Sequence, residues 1–239
     1  MKKSCFFIFS ILFVTGFAFA QKYNGLSRYG LSGHVKTMQQ TIFTLCKKIN
    51  DKWIPTDTPY YSEKKYTYDE QGLLQSIEDR QIFTKKQKPI YTIIKIEYKD
   101  GKMKGSKWYD ENNNQKGESV IKWETDSSYI DMINDEKNDM KVETYHIVDN
   151  MGRNKKTIMK KYINKNIDAF VTSNFIYTNN MLTGEVVNDS TRGYVINYNI
   201  EALEKDPIDN ITQSVMFISP YKEDVPAILT YSKYEYYIK

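Results

Sequence analysis

Side chains able to act as nucleophiles or bases are few and scattered in this sequence. It contains two cysteines and two histidines, so Cys46 with His34 or His146 is one conceivable nucleophile and base. The stretch Thr44–Lys47 matches no cysteine protease signature, and its apolar character is typical of a buried strand cysteine. Gly25–Gly30 and Gly30–Gly33 each miss the Gly-x-Ser-x-Gly nucleophile elbow by one residue. We therefore expect a protein that is not an enzyme.

One acidic loop has part of a calcium-binding pattern. Asp110, Asn112 and Asn114 occupy positions 1, 3 and 5 of an EF-hand loop, but Gln115 replaces the glycine at position 6 and Ile121 the glutamate at position 12. The segment from 110 to 117 therefore favours an ordinary polar hairpin turn. Zinc is also disfavoured, since no His-Glu-x-x-His motif or cysteine pair is present. We predict no metal and no cofactor.

Exposed aromatic residues are the remaining candidates for recognition. Trp108 and Tyr109 precede the polar turn at residue 110, where their rings could stack on sugar rings or on a partner protein. They are the predicted ligand-binding residues. An alternative explains the 20 tyrosines without any function: aromatics favour strands, and the joint excess of Lys, Asn, Ile and Tyr is what A+T-rich codons encode.

The first twenty residues have the three parts of a secretory signal peptide. Lys2 and Lys3 precede an apolar run from 5 to 19, and Ala18 and Ala20 fit the cleavage site before Gln21. The run is shorter than the roughly 20 residues needed to span a bilayer, so we expect no transmembrane span in the mature chain. We predict an exported protein, in the periplasm, on the outer-membrane surface or secreted. The net charge of +4 does not indicate nucleic-acid binding.

Residues 21–239 are predicted to form a single all-β domain built from repeats. Alternating segments such as Ile94-Lys95-Ile96-Glu97-Tyr98 have the period of half-exposed strands. Turn signals recur about every 30 residues, with one gap of two periods. The expected turns lie near Gly72, Gly101, Gly152, Asn180 and Asn210. The pattern predicts a curved antiparallel meander built from repeated β-hairpins, with little helix.

The same alternation makes a prediction about two tryptophans. Trp123 shares a strand face with Ile121, whereas Lys122 and Glu124 lie on the other face. Trp123 should therefore belong to the core. Trp108 lies beside the polar turn, and we expect it at the rim of the sheet, partly exposed to water.

The segment from Tyr66 to Leu74, Tyr-x-Tyr-Asp-x-x-Gly-x-Leu, resembles the YD repeats of Rhs-type proteins. Residues 30–37 resemble the opening of small exported YD-repeat-like proteins of Bacteroidetes, and Tyr234–Tyr237 resembles their ending. The resemblance implies an antiparallel β fold and an envelope location. It implies no activity and no functional residues.

Two functions remain open from the sequence. The first is a non-enzymatic envelope module that presents a binding surface to an unknown protein or glycan. The second is a periplasmic carrier that holds a lipid or acyl chain in the concavity of a curved sheet.

Overall fold

The chain folds into an antiparallel β-barrel. The computed structural model describes residues 26, 31–56, 61–83, 88–99, 101–179, 181–219 and 227–237. The predicted signal peptide lies outside these residues. The strands of the described residues are β1 (Val35–Ile49), β2 (Lys52–Pro55), β3 (Tyr61–Tyr68), β4 (Leu74–Ile82), β5 (Ile90–Lys99), β6 (Lys102–Tyr109), β7 (Gln115–Thr125), β8 (Ser128–Asp135), β9 (Met140–Val148), β10 (Asn154–Ile163), β11 (Asn166–Thr178), β12 (Met181–Asp189), β13 (Tyr194–Lys205), β14 (Ile211–Ile218) and β15 (Ala227–Tyr236).

The sheet closes on itself through its first and last strands. From β3 to β15 each strand pairs with its neighbour in sequence, and β1 pairs with both β3 and β15. Of the fifteen strands in the described residues, only the short β2 lies outside the resulting ring of fourteen. The prediction of an all-β antiparallel fold is confirmed. The prediction of a curved meander of repeated hairpins holds only for the order of the strands, because the sheet is a closed barrel in which the pairing of β1 with β15 removes both edges.

Four hairpin turns share one local structure, which explains the repeated sequence signal. In the first, the Asp69 carboxylate accepts hydrogen bonds from the backbone N–H groups of Gln71 and Leu73, and Gly72 has a φ of 81°. The same turn begins at Asp110, Asp149 and Asp206. Its fourth residue needs a positive φ, which glycine, asparagine and aspartate adopt most readily.

The predicted turns can be compared with these positions. Gly72, Gly101 and Gly152 all have positive φ in turns between strands. Asn210 directly follows a turn in which Asp209 adopts the positive φ. Asn180 lies outside the described residues. Helix is scarce in the part of the chain that the structure covers, where the one multi-residue helical element is the 3₁₀ turn Glu136–Asn138.

The barrel wall has a buried inner face and a charged outer face. Residues directly opposed on neighbouring strands share a face, and on β3, β4 and β7 to β9 the buried positions follow the inner face. On β14 and β15 the outer face also has buried residues, Val215 and Leu229, next to the β1–β2 hairpin. The largest apolar cluster fills the end of the barrel where the chain enters β1, with Tyr66, Tyr68 and Tyr129 at 1% exposure or less. No helix among the described residues is long and apolar enough to cross a membrane.

Candidate functional site

The predicted ligand-binding residues Trp108 and Tyr109 lie on opposite faces of β6. Trp108 is directly opposed to Ile94 and Gly117 on the inner face, and its ring lies where a Cβ on Gly117 would be. Tyr109 lies on the outer face, with the Lys95 ammonium 4.6 Å from its ring centroid. The two rings therefore cannot stack on one ligand. Binding by either residue alone stays a prediction.

Trp108 and Trp123 are both half-buried and both pack against the cluster that fills one end of the barrel. The prediction that Trp123 is a core residue and Trp108 a partly exposed rim residue is therefore wrong, because the two are buried to a similar extent. Trp123 does share the inner face with Ile121, as expected, while Lys122 and Glu124 are exposed. The difference between the two indoles lies in their polar contacts. Trp123 donates its ring N–H to the Met103 carbonyl at 3.0 Å, whereas the buried Trp108 N–H has no partner among the described residues.

We expect Trp123→Ala to lower the free energy of unfolding more than Trp108→Ala. Trp123→Ala should cost ~3–5 kcal/mol, because it removes a hydrogen bond and the Tyr129 ring contact at 4.7 Å together with apolar contacts. Trp108→Phe should cost less than about 1 kcal/mol, since it keeps the ring over Gly117 and removes an unpaired N–H. Urea melts of the three variants measure this order. The reverse order would mean that the Trp123 hydrogen bond does not form in solution.

A belt of polar side chains lines the inner face between the apolar clusters. We call it the inner polar belt; its members are each less than 9% exposed and are Lys64, Asp79, Ser119, Asp131, Thr144, Thr157 and Ser173. Asp131 is the central member. One of its carboxylate oxygens has no hydrogen-bond partner among the described residues, and the directly opposed Thr144 hydroxyl also has none. Burial raises the pKa of Asp131 to about 6, although a hydrogen bond with Ser119 acts in the opposite direction.

Ser119, Asp131 and His146 are the residue types of a catalytic triad, but their contacts do not fit one. The carboxylate bonds to the serine, whereas a triad needs histidine between the two. His146 has its Nδ1 3.3 Å from the Asn154 side-chain oxygen, and its ring stacks on Tyr129. All three residues are more than 90% buried. The arrangement does not provide a nucleophile that a substrate could reach.

Lys64 and Asp79 form a buried ion pair at another point of the belt. The Lys64 Nζ lies 3.6 Å from the Asp79 Oδ2, and both side chains are 5% exposed or less. Gln81 donates to the same Asp79 oxygen at 2.8 Å. Desolvation by burial lowers the pKa of Lys64, and the Asp79 charge partly opposes this effect.

The conceivable cysteine–histidine pairs are not assembled. Cys46 lies near the end of β1 in a cluster with Val215 and Leu229, while the exposed His34 precedes β1 at its other end. His146 is buried on the inner face of β9. Burial raises the pKa of the Cys46 thiol to about 11, so the thiol stays protonated at neutral pH.

The Asp110 loop uses its acidic side chain to build a turn. The carboxylate accepts from the backbone N–H groups of Asn112 and Asn114 and lies 2.9 Å from the Lys116 ammonium. These interactions, led by Lys116, hold the pKa of Asp110 well below its usual range. Both Asp110 carboxylate oxygens, which an EF-hand would direct at calcium, are thus bonded to the protein itself.

An aromatic patch on the outer face lies where the barrel closes. Phe43 of β1 is directly opposed to Tyr61 of β3 and to Leu229 of β15. The Phe43 ring centroid lies 5.8 Å from that of Tyr61 and 6.0 Å from that of Tyr231, a residue that is 39% exposed. We call Phe43, Tyr61 and Tyr231 the seam aromatic patch. Sequence reasoning missed it because Tyr231 joins the other two rings only through closure.

The β1–β2 hairpin covers the surface next to this patch. Trp53 of β2 stacks on Phe217 of β14 at 5.7 Å, and Cys46, Val215 and Leu229 are buried beneath this part of the hairpin. The patch itself remains half-buried to exposed. It therefore combines rings of fixed orientation with access from solvent.

Comparisons with known proteins give little beyond the fold. No protein-family model matches the sequence, and no curated protein is significantly similar to it. Among solved structures, a crystal structure of a porin-like protein from Bacteroides uniformis aligns with a TM-score of 0.46 and 10% sequence identity. The alignment covers 84% of this chain and 98% of that chain. A likeness at this level carries no argument about function.

The resemblance to YD-repeat proteins is wrong. The chain closes into a barrel, with β1 paired to β15, whereas the resemblance implied a sheet built from stacked repeats. The Tyr-x-Tyr-Asp-x-x-Gly pattern instead describes a strand followed by the Asp-initiated turn of β3 and β4. Such a turn suits any antiparallel hairpin and does not specify how the hairpins assemble.

Proposed function

We propose that this protein is an exported, non-enzymatic β-barrel that stands in water within the cell envelope and recognises a glycan or a protein through the seam aromatic patch. The observation that carries the proposal is the charged outer wall. On the outer faces of β3 to β6, Arg80 lies 2.9 Å from Glu63, and Lys107 lies 2.6 Å from Glu97. These pairs lie within the strands, and Tyr91 adds a hydrogen bond to Glu78 between them.

A lipid-facing wall would have the opposite character. Barrels that cross a membrane carry an apolar outer band, and each Arg or Lys at the bilayer midplane costs about 2–4 kcal/mol. The wall also carries charge at mid-strand, where Lys65 of β3 is directly opposed to Glu78 of β4. Such a wall is compatible with water and supports an aqueous location. The signal-peptide pattern at residues 1–20 supports export.

The binding role rests on the chemistry of the two faces. The ionisable groups of the inner polar belt are buried, Lys64 is paired with Asp79, and Asp131 bonds to Ser119, which disfavours catalysis. In the seam aromatic patch the Tyr61 and Tyr231 rings each lie within stacking distance of the Phe43 ring between them, beside the Glu63–Arg80 pair. Exposed rings with polar groups at their edge suit both sugar stacking and protein contacts.

We expect Tyr231→Ala and Tyr61→Ala to weaken binding by at least about tenfold each, because each removes a ring from the recognition surface. Binding would be measured by calorimetry and by tryptophan fluorescence against purified envelope polysaccharides and a panel of exported proteins. Tyr109→Ala is the matched control, since it removes another outer-face tyrosine while leaving the patch intact. Loss of binding in Tyr109→Ala but not in Tyr231→Ala would move the site to the residue predicted from sequence.

The carrier function has weaker support. One end of the barrel interior is filled by the protein's own side chains, including fully buried tyrosines, so an acyl chain would have to displace them. Mass spectrometry of an organic extract of the purified protein distinguishes the two functions. A stoichiometric lipid would favour the carrier and contradict the proposal made here.

A further inference from the structure

We infer that the β1–β2 hairpin docks the barrel onto an anionic lipid surface. The inference rests on the proposed function in one respect, since it needs a barrel whose wall stays in water. Among the described strands, β2 alone lies outside the ring of fourteen, and residues 47–49 at the end of β1 pair only with β2. Closure of the ring therefore places no constraint on the residues at the outer face of the hairpin.

The two faces of the hairpin differ in composition. Cys46 is directly opposed to Pro55, and Lys48 to Trp53, on the face that packs on the barrel. Alternation puts the next positions on the other face, where Lys47 is opposed to Ile54, and Ile49 to Lys52. We call these four residues the hairpin outer face.

The hairpin outer face is exposed and has one sign of charge. Ile49 is 40% and Ile54 is 42% exposed, and Lys47 and Lys52 are also exposed. The one acid of this hairpin, Asp51, pairs with Lys48 of the opposite face at 3.5 Å. Two isoleucines flanked by two lysines match an interface where apolar side chains enter the acyl region and ammonium groups meet phosphate.

Other exposed apolar residues lie at the same end of the barrel. In an antiparallel ring, the connections that follow β4, β10 and β12 lie at the same end as the β1–β2 hairpin. Strands that start there expose Ile90 by 53%, Ile167 by 56% and Val195 by 61%. Exposed apolar residues at several points of one rim favour a planar partner, which can touch all of them at once.

The size of the surface argues for a bilayer over an acidic protein. A stable protein–protein interface buries at least about 1,000 Å² and has a well-packed centre. Four side chains of one hairpin fall well short of this. Adsorption to an anionic bilayer needs no such complementarity, because each lysine and each buried aliphatic group adds its own increment.

The test is co-sedimentation with phosphatidylglycerol–phosphatidylethanolamine vesicles and with neutral phosphatidylcholine vesicles. All variants are recovered after export and therefore have the same N-terminus. Any effect of the N-terminus on vesicle binding is then equal in all variants and does not affect their comparison. We expect binding to the anionic vesicles only. Lys47→Gln with Lys52→Gln should weaken it about 25-fold, at about fivefold per lysine. Ile49→Ser with Ile54→Ser should weaken it at least about fivefold.

Val120→Ser with Lys122→Gln is the matched control. These residues are an exposed aliphatic and an exposed lysine on the outer face of β7, and we expect less than a twofold effect. Absence of binding, or equal loss in control and hairpin variants, would overturn the docking proposal and leave the proposed function intact. Binding that resists both high salt and carbonate would instead contradict an aqueous barrel. Binding of the hairpin to an acidic protein, without any binding to vesicles, would contradict the lipid proposal and identify an acidic protein as the partner.

Discussion

Lys64→Met should destabilise the protein by ~3–5 kcal/mol, the largest loss that we expect from a single polar substitution. The change leaves the Asp79 carboxylate almost fully buried without its cation, and one of its oxygens already lacks a partner among the described residues. The hydrogen bond from Gln81 offsets only part of this cost. Urea melts at neutral pH measure the change in the free energy of unfolding.

Two further variants distinguish the cost of an unpaired buried charge from the loss of an ion pair as such. Lys64→Met with Asp79→Leu should recover most of the stability, because apolar residues often replace a buried ion pair at little cost. Arg80→Met removes a cation from the Glu63–Arg80 pair on the outer face of the same hairpin, where both side chains are nearly half exposed. It should cost less than about 1 kcal/mol. Equal losses for Lys64→Met and Arg80→Met would contradict a desolvated inner pair.

Asp131→Asn should stabilise the protein above pH 7 by up to about 3 kcal/mol. The folded-state pKa of Asp131 is raised from 3.8 to about 6, first of all by burial, so the folded protein holds a proton that the unfolded chain releases. The stability that this group contributes is therefore fully present below pH 4 and is lost as the pH rises through 6. A shift of about two pKa units corresponds to the expected gain, at about 1.4 kcal/mol per unit.

Thermal or urea melts of wild type and Asp131→Asn between pH 4 and pH 8 give the difference curve. The two proteins should converge near pH 4, and the asparagine variant should gain steadily up to about pH 7. Asp126→Asn is the control, because the Asp126 side chain is 92% exposed at the turn that precedes β8. A difference curve that is flat, or that falls with pH, would show that the Asp131 carboxylate is well solvated.

Both predictions concern inner-face residues, Lys64 and Asp131. Alternation along the strand predicts the face on which each side chain lies, but it does not predict which side chain it contacts. The sequence puts Lys64 on the same strand face as Tyr66 and Tyr68, because side chains alternate along any strand. Its partner Asp79 lies on the next strand, and the pairing register depends on the bulge where β3 turns into β4. A shift of one residue would move Asp79 to the outer face.

The sequence by itself determined the strand class, the turns and much of the face pattern. Local chemistry is enough for these features. Period-2 runs specify strands, and an aspartate followed three residues later by a glycine or asparagine specifies the turns at Gly72 and Gly152. The placement of Ile121 and Trp123 on one face followed from the same rule and is confirmed.

Only the tertiary structure decided whether the sheet closes and what closure brings together. Thr37 and Glu235 share a hydrogen bond across 198 residues of sequence, and no local pattern encodes that contact. The number of strands, their twist and their stagger decide closure together, so it is a property of the whole sheet. Alternation along β6 is enough to put Trp108 and Tyr109 on opposite faces. The seam aromatic patch, in contrast, exists only because β15 pairs with β1.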